Sequence, residues 1–165
     1  MVRSYLLLGF LTAVCQPAYG LVFRDKLKQV VGGENLYLLH DVEDTTSVRF
    51  DNLQIPGTKG WKFDTEGFED NEAVITPLDS DKTLICEEGS NCRLDLEGTK
   101  QPYVIARVSE RPIFTLQDKL SQLYVSRTPD LYLELTEEIS DSIYFELEKL
   151  NEGNESSGLH SREDL

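Results

Sequence analysis

Imidazole chemistry has little to draw on in this chain, because His40 and His160 are its only histidines. With no second histidine beside either, a His-based metal site has no support, and nothing in the sequence marks a serine and a carboxylate for a Ser-His-Asp arrangement with a spare orienting group. No G-x-S-x-G elbow and no phosphate-cradling glycine loop occurs. Carboxylates are plentiful, 30 Asp plus Glu against 16 Lys plus Arg. Two of them held across a cleft would suit glycoside hydrolysis, but nothing in their spacing singles out such a pair. Asp79-x-Asp81 with Glu87 and Glu88 nearby supplies oxygens without the spacing of any calcium loop. The chain therefore reads as non-enzymatic, with no metal and no cofactor expected. What could bind is aromatic: Lys59-Gly60-Trp61-Lys62-Phe63, followed by Phe68 among acidic residues. Trp61, the only tryptophan, is a natural anchor for a protein or sugar face, and Trp61, Lys62, Phe63 and Phe68 are the candidate binding residues.

The elements that must position these residues are strands. Leu131, Leu133 and Leu135 are two apart, as are Ile143, Phe145 and Leu147, and strand residues two apart share a face. Turn chemistry separates them: Gly32-Gly33-Glu34-Asn35, Glu88-Gly89-Ser90-Asn91 and Thr128-Pro129-Asp130. The pattern also repeats. Val74 to Val108 aligns without a gap on Ile113 to Leu147, an offset of 39. Leu84 and Leu94 fall on Leu123 and Leu133; Val104, Ala106 and Val108 fall on Ile143, Phe145 and Leu147. A looser copy opens near Leu21, in which Leu36-Tyr37-Leu38 matches Leu131-Tyr132-Leu133. Four strands per copy follow, near 113–117, 123–126, 131–135 and 143–148 in the last, and Leu38, Leu94 and Leu133 are expected in equivalent places. His40 takes an inward position, as a core or rim residue.

Three four-stranded units of about 40 residues resemble a β-trefoil, a six-stranded barrel closed at one end by three hairpins. A sandwich of the same hairpins is the alternative all-β arrangement. The resemblance is to a superfold rather than a family: the Gln-x-Trp of ricin-type lectins is absent, and so is the two-disulfide framework of plant Kunitz inhibitors. It implies one all-β domain over 21–150 that works by binding. A protein ligand is the first expectation, as in cytokine-like or inhibitor-like trefoils. A glycan is the alternative, with Tyr37, Tyr132 and Trp61 as the platforms available for stacking on a sugar.

The repeat breaks between Phe50 and Val74, and an irregular insertion on a rigid scaffold is where binding commonly sits. Two readings of Trp61 stay open. Either it is exposed on that insertion, or Gly60-Trp61-Lys62-Phe63-Asp64 matches Ser142-Ile143-Tyr144-Phe145-Glu146, which makes Trp61 and Phe63 core residues of a fourth strand. Gly57 to Gly60 is expected to be a surface insertion that contributes little to the fold.

The ends read as processing signals. Arg3, the apolar run Tyr5 to Val14 and Ala18-Tyr19-Gly20 have the form of a signal peptide over 1–20. Secretion is the expectation, and the terminal Arg162-Glu163-Asp164-Leu165 offers retention in the endoplasmic reticulum lumen as the alternative. The tail 151–165 is acidic and expected to be disordered, with Asn154 a glycosylation acceptor. The whole chain carries a formal net charge of −14, which repels phosphate backbones and anionic lipid, so neither nucleic acid nor membrane is an expected partner. Outside the leader, Cys86 and Cys92 remain. The repeat sets them facing across a turn, where a disulfide would staple one hairpin.

Overall fold

The computed structural model describes residues 22–41, 46–54, 57–69, 71–95 and 98–150. The expected signal peptide, the tail and Asn154 lie outside the described residues. Twelve strands follow one another: β1 Val22–Val31, β2 Glu34–His40, β3 Val48–Asp51, β4 Trp61–Asp64, β5 Glu72–Pro77, β6 Thr83–Ile85, β7 Arg93–Asp95, β8 Tyr103–Arg107, β9 Ile113–Asp118, β10 Tyr124–Arg127, β11 Leu133–Thr136 and β12 Phe145–Lys149. Among the described residues one 3-10 turn, Asp141–Ile143, precedes β12.

All pairings are antiparallel, and six of them close a ring: β1 with β4, β4 with β5, β5 with β8, β8 with β9, β9 with β12, and β12 back to β1. A closed ring leaves its six strands no free edge. The other six strands form three hairpins, β2–β3, β6–β7 and β10–β11. The hairpins meet one another, through Phe50 N donating to Leu131 O at 2.7 Å, Cys92 N to Leu133 O at 2.7 Å and Leu94 N to Thr46 O at 2.8 Å.

Inward-facing alternate residues make one core. Leu38, Phe50, Trp61, Phe63, Ile75, Leu84, Tyr103 and Phe145 have no exposed surface. Phe23 stacks on Phe63 at 4.6 Å between ring centres, and Phe50 lies 6.1 Å from Phe145. Two polar groups in this core are satisfied: Trp61 Nε1 donates to Leu38 O at 2.9 Å, and the Tyr103 hydroxyl to Leu84 O at 3.2 Å. Cys86 and Cys92 are bonded, with Cα atoms 4.2 Å apart. Closing so short a loop stabilises by roughly 2 kcal/mol on the chain-entropy picture.

Four expectations are corrected. The pairing registers do not follow an offset of 39: Leu84 faces Leu94, yet Leu133 faces Arg127 and Val125 faces Leu135. Leu38 belongs to a second strand, opposite Phe50, and so is not equivalent to Leu94 or Leu133. On β8 the inward residues are Tyr103 and Ile105, while Ala106, and Val108 just past the strand, are exposed. Gly57 to Gly60 is also woven into the fold. His40 and Thr58 exchange backbone hydrogen bonds of 2.8 and 3.0 Å. Gly57 has φ +141, and a Cβ there would sit 2.7 Å from His40 O, so glycine is required.

His40 itself is 6% exposed, with Nδ1 3.1 Å from Asp79 Oδ1, and the Thr58 hydroxyl donates to the other oxygen of the same carboxylate. That cluster ties β2 to the chain after β5. A second polar tie is a network: Gln101 Nε2 donates to Cys86 O at 2.9 Å and to Asp118 Oδ1 at 2.7 Å, and Ser121 N and Oγ donate to Asp118 Oδ2. Burial pushes the Asp118 carboxyl up, but the hydrogen bonds from Ser121 and Gln101 outweigh it and hold the group below its usual range.

Candidate functional site

Alternation along β4 sorts the candidate residues into two sets. Trp61 and Phe63 point inward and are completely buried, whereas Lys62 and Asp64 point outward and are half-buried. Trp61 is therefore a core residue of a barrel strand, paired with Asp25 and Pro77, and offers no face to a ligand. The expectation of Trp61 and Phe63 as binding residues is corrected on this ground. Tyr37 is 5% exposed; its hydroxyl donates to Glu148 at 3.1 Å and Lys26 lies 5.9 Å above its ring, so it is not a bare platform either.

Lys62 and Phe68 do come together, in a groove of about 180 Å³. Its floor is β4 against β5, where Lys62 pairs with Thr76 and Asp64 with Val74. Thr83 of β6 continues the floor, and Glu66, Phe68, Asp81 and Lys100 complete the lining. A turn sets Phe68 in place: Asp64 Oδ1 accepts from Glu66 N at 3.0 Å, Phe68 N donates to Thr65 O at 3.1 Å, and Gly67 takes φ +83. The Thr83 hydroxyl donates to Thr99 O, anchoring the approach to Lys100.

Charge in the groove is nearly balanced, with Asp64, Glu66 and Asp81 against Lys62 and Lys100. Lys62 and Asp64 partly neutralise one another at 3.5 Å. Asp81 and Lys100 make no hydrogen bond or ion pair with any of the described residues, so both can serve a ligand. A carboxylate only accepts hydrogen bonds and an ammonium only donates them. A hydroxyl does both, and can bridge the two. Half-buried Phe68 supplies the apolar surface beside them.

Sequence reasoning found Lys62 and Phe68 and missed Asp64, Thr76, Thr83 and Lys100. The alternation that buries Trp61 is also the signal that turns Asp64 outward. Nothing local marks Lys100, which arrives from 38 residues beyond Lys62. Asp81 was noticed only as a possible cation ligand; its neighbour Asp79 is committed to His40 and Thr58, and Glu87 to Arg93 at 3.1 Å.

No family model matches this chain, and no curated protein matches it. Among solved structures it is similar to SeviL bound to asialo-GM1 saccharide, with a TM-score of 0.62 at 12% identity over 79% of this chain and 100% of that one. At that identity the likeness concerns the fold alone, and together with the closed ring and its three hairpins it makes this chain an all-β protein of β-trefoil-like fold.

Proposed function

We propose that this chain is a secreted, non-enzymatic glycan-binding module built from three pseudo-equivalent four-stranded units, and that the groove over β4 and β5 holds a sugar. The unit reading is supported by register. Phe23–Phe63, Ala73–Tyr103 and Phe114–Phe145 are corresponding barrel pairs. Leu38–Phe50, Leu84–Leu94 and Val125–Leu135 are corresponding hairpin pairs. The Cys86–Cys92 bond supports an oxidising compartment.

For function, SeviL bound to a saccharide favours the glycan alternative; the protein-ligand expectation has no comparable support. The observation that carries the proposal is the groove's chemistry: Phe68 beside an uncommitted acceptor, Asp81, and an uncommitted donor, Lys100. A sugar ring can lay its C–H face on Phe68 and share its hydroxyls between the other two. At about 180 Å³ the groove suits one small ring, well below the ~300 Å³ where drug-sized pockets begin.

A glycan array probed with the full chain is expected to give a defined set of binders. Phe68→Ala and Asp81→Asn should each weaken them by about tenfold or more, the loss of one good contact, with unchanged melting. An array without binders, or binding indifferent to both substitutions, overturns the proposal.

A further inference from the structure

A second concavity lies on the outer face of the β10–β11 hairpin. It encloses about 440 Å³ and is lined by Ser126, Arg127, Glu134, Glu138, Ser140 and Ser142 among others. Its origin is visible in the register. In the first hairpin Leu39 pairs with Arg49, in the second Ile85 with Arg93, and in the third Ser126 with Glu134. Leu39 and Ile85 are buried, and so is Ser126, at 4% exposed. Where two hairpins hold a large hydrocarbon side chain beside an arginine, the third holds a small hydroxyl beside a carboxylate. The missing volume is left as a polar hollow.

That hollow has both kinds of hydrogen-bonding group in place. Ser126 Oγ lies 2.6 Å from Ser142 Oγ, which lies 2.7 Å from Ser140 Oγ. Three hydroxyls in a row use two protons between them, so one proton remains to donate elsewhere. Arg127 is braced from behind: Nε donates to Gln29 Oε1 at 2.8 Å and one terminal nitrogen to Thr128 O at 3.2 Å. Gln29 in turn donates to Ser142 O and Tyr144 O, at 2.7 and 3.1 Å, which fixes the segment that walls the hollow. The remaining guanidinium N–H groups have no partner among the described residues. Glu134 and Glu138 are the acceptors.

We infer that this hollow is a second saccharide site, gripping a neutral sugar ring through its hydroxyls alone; the inference rests on the glycan-binding reading above. A carboxylate or phosphate ligand would face Glu134 and Glu138, a simple ammonium, which only donates, would leave the free Arg127 N–H groups and the serine proton without an acceptor, and an apolar ligand would find no aromatic wall. Sugar hydroxyls, which donate and accept, satisfy both sets. Two sites on one chain would let it bridge two glycans, with avidity set by their separation.

Amide NMR of the full chain, titrated with the methyl glycosides of glucose, galactose, mannose and N-acetylglucosamine, tests this directly. Expected are saturable shifts at Ser126, Glu134 and Ser142 with a midpoint of their own, distinct from shifts at Phe68 and Asp81. Ser126→Leu, which restores the residue type of the other two hairpins, should abolish the first set and spare the second. Glu134→Arg should do the same, and serves if the leucine disturbs the hairpin. Shifts at Phe68 and Asp81 alone overturn the second site and leave the first standing. Shifts at Ser126 that survive both substitutions also overturn it, and silence at both places overturns the glycan reading itself.

Discussion

Strand β4 has four residues and two occupations. Trp61 and Phe63 are sealed in the core, while Lys62 and Asp64, one residue away on the same strand, line a groove. The comparison extends around the molecule. Inward, one set of barrel positions stays alike: Phe63, Tyr103 and Phe145 are all large, aromatic and without exposed surface. On the other face of the three hairpins the residues differ in kind, with buried Leu39 and Ile85 against buried Ser126, and with Arg49 and Arg93 against Glu134. Because successive Cβ atoms point to opposite faces, one strand can be held constant on its core side and varied freely on its other side. The consequence is that stability and binding should separate by parity along a strand.

The largest effect belongs to the inward face. Trp61→Ala should cost roughly 3 to 5 kcal/mol through cavity formation, and it also leaves Leu38 O without the indole donor it now has at 2.9 Å. Chemical denaturation will measure the loss. The sharper half of the test is affinity: any glycan found to bind should keep its midpoint at temperatures where the variant remains folded. A large affinity loss with little destabilisation would put Trp61 in the binding surface and break the comparison.

Parity also explains what was legible beforehand. Alternation named Leu133, Leu135, Ile143 and Phe145, which are buried, and Leu131 and Leu147, which are partly buried, since a period of two needs only the face; the repeat added Leu84 and Leu94, both buried. The partners were harder. An offset of 39 is two short of the one that carries Leu84–Leu94 onto Val125–Leu135, and a slip of two leaves every side chain on its own face. Inside β8 the true offset grows by one more, since Tyr103 corresponds to Phe145. There the slip becomes three, and laying Ala106 and Val108 over Phe145 and Leu147 puts exposed residues on buried or partly buried ones. Leu36-Tyr37-Leu38 and Leu131-Tyr132-Leu133 look alike, but the first lies in a strand and Leu131 has φ +69 in a turn, because tertiary context overrides so short a match. The groove was legible only where one segment contributed two residues, Lys62 and Phe68. Lys100 and the Ser126–Glu134 hollow depend on pairings between distant strands, which no local pattern encodes.

Buried polar ties are the middle case, since they serve the scaffold but respond to solvent conditions. Hydrogen bonds hold the Asp118 carboxyl below its usual range against the opposing push of burial, and those from Thr58 and His40 do the same for Asp79. A carboxyl lowered in the folded state contributes stability that is present above its unfolded pKa of about 4 and is lost as pH falls through the lower folded value. Melting should therefore be steady above about pH 4 and decline below it. Asp118→Asn places an amide where both Gln101 Nε2 and Ser121 need acceptors, so it should cost about 1 to 3 kcal/mol at neutral pH and flatten the acid decline. An acid decline identical to that of the unaltered chain would remove Asp118 from the cause.

The smallest expected effect is the most direct trial of parity, because it asks for almost nothing. Lys62 sits between Trp61 and Phe63 in sequence, and its only ion pair among the described residues, with Asp64 at 3.5 Å, joins two side chains that are each about a third exposed. Such pairs contribute about 0 to 1 kcal/mol. The Lys62 stem also covers part of the groove floor beside Thr76. Lys62→Met keeps that stem and deletes the charge, so stability should stay within about 0.5 kcal/mol, the range of surface substitutions away from special features. Binding of a neutral sugar at Phe68 should fall only to the extent that the ammonium donates to a hydroxyl, whereas Trp61→Ala one position earlier unsettles the whole barrel. If Lys62→Met destabilises the chain as much as Trp61→Ala does, the outward face is carrying the scaffold, and the division of labour along β4 fails.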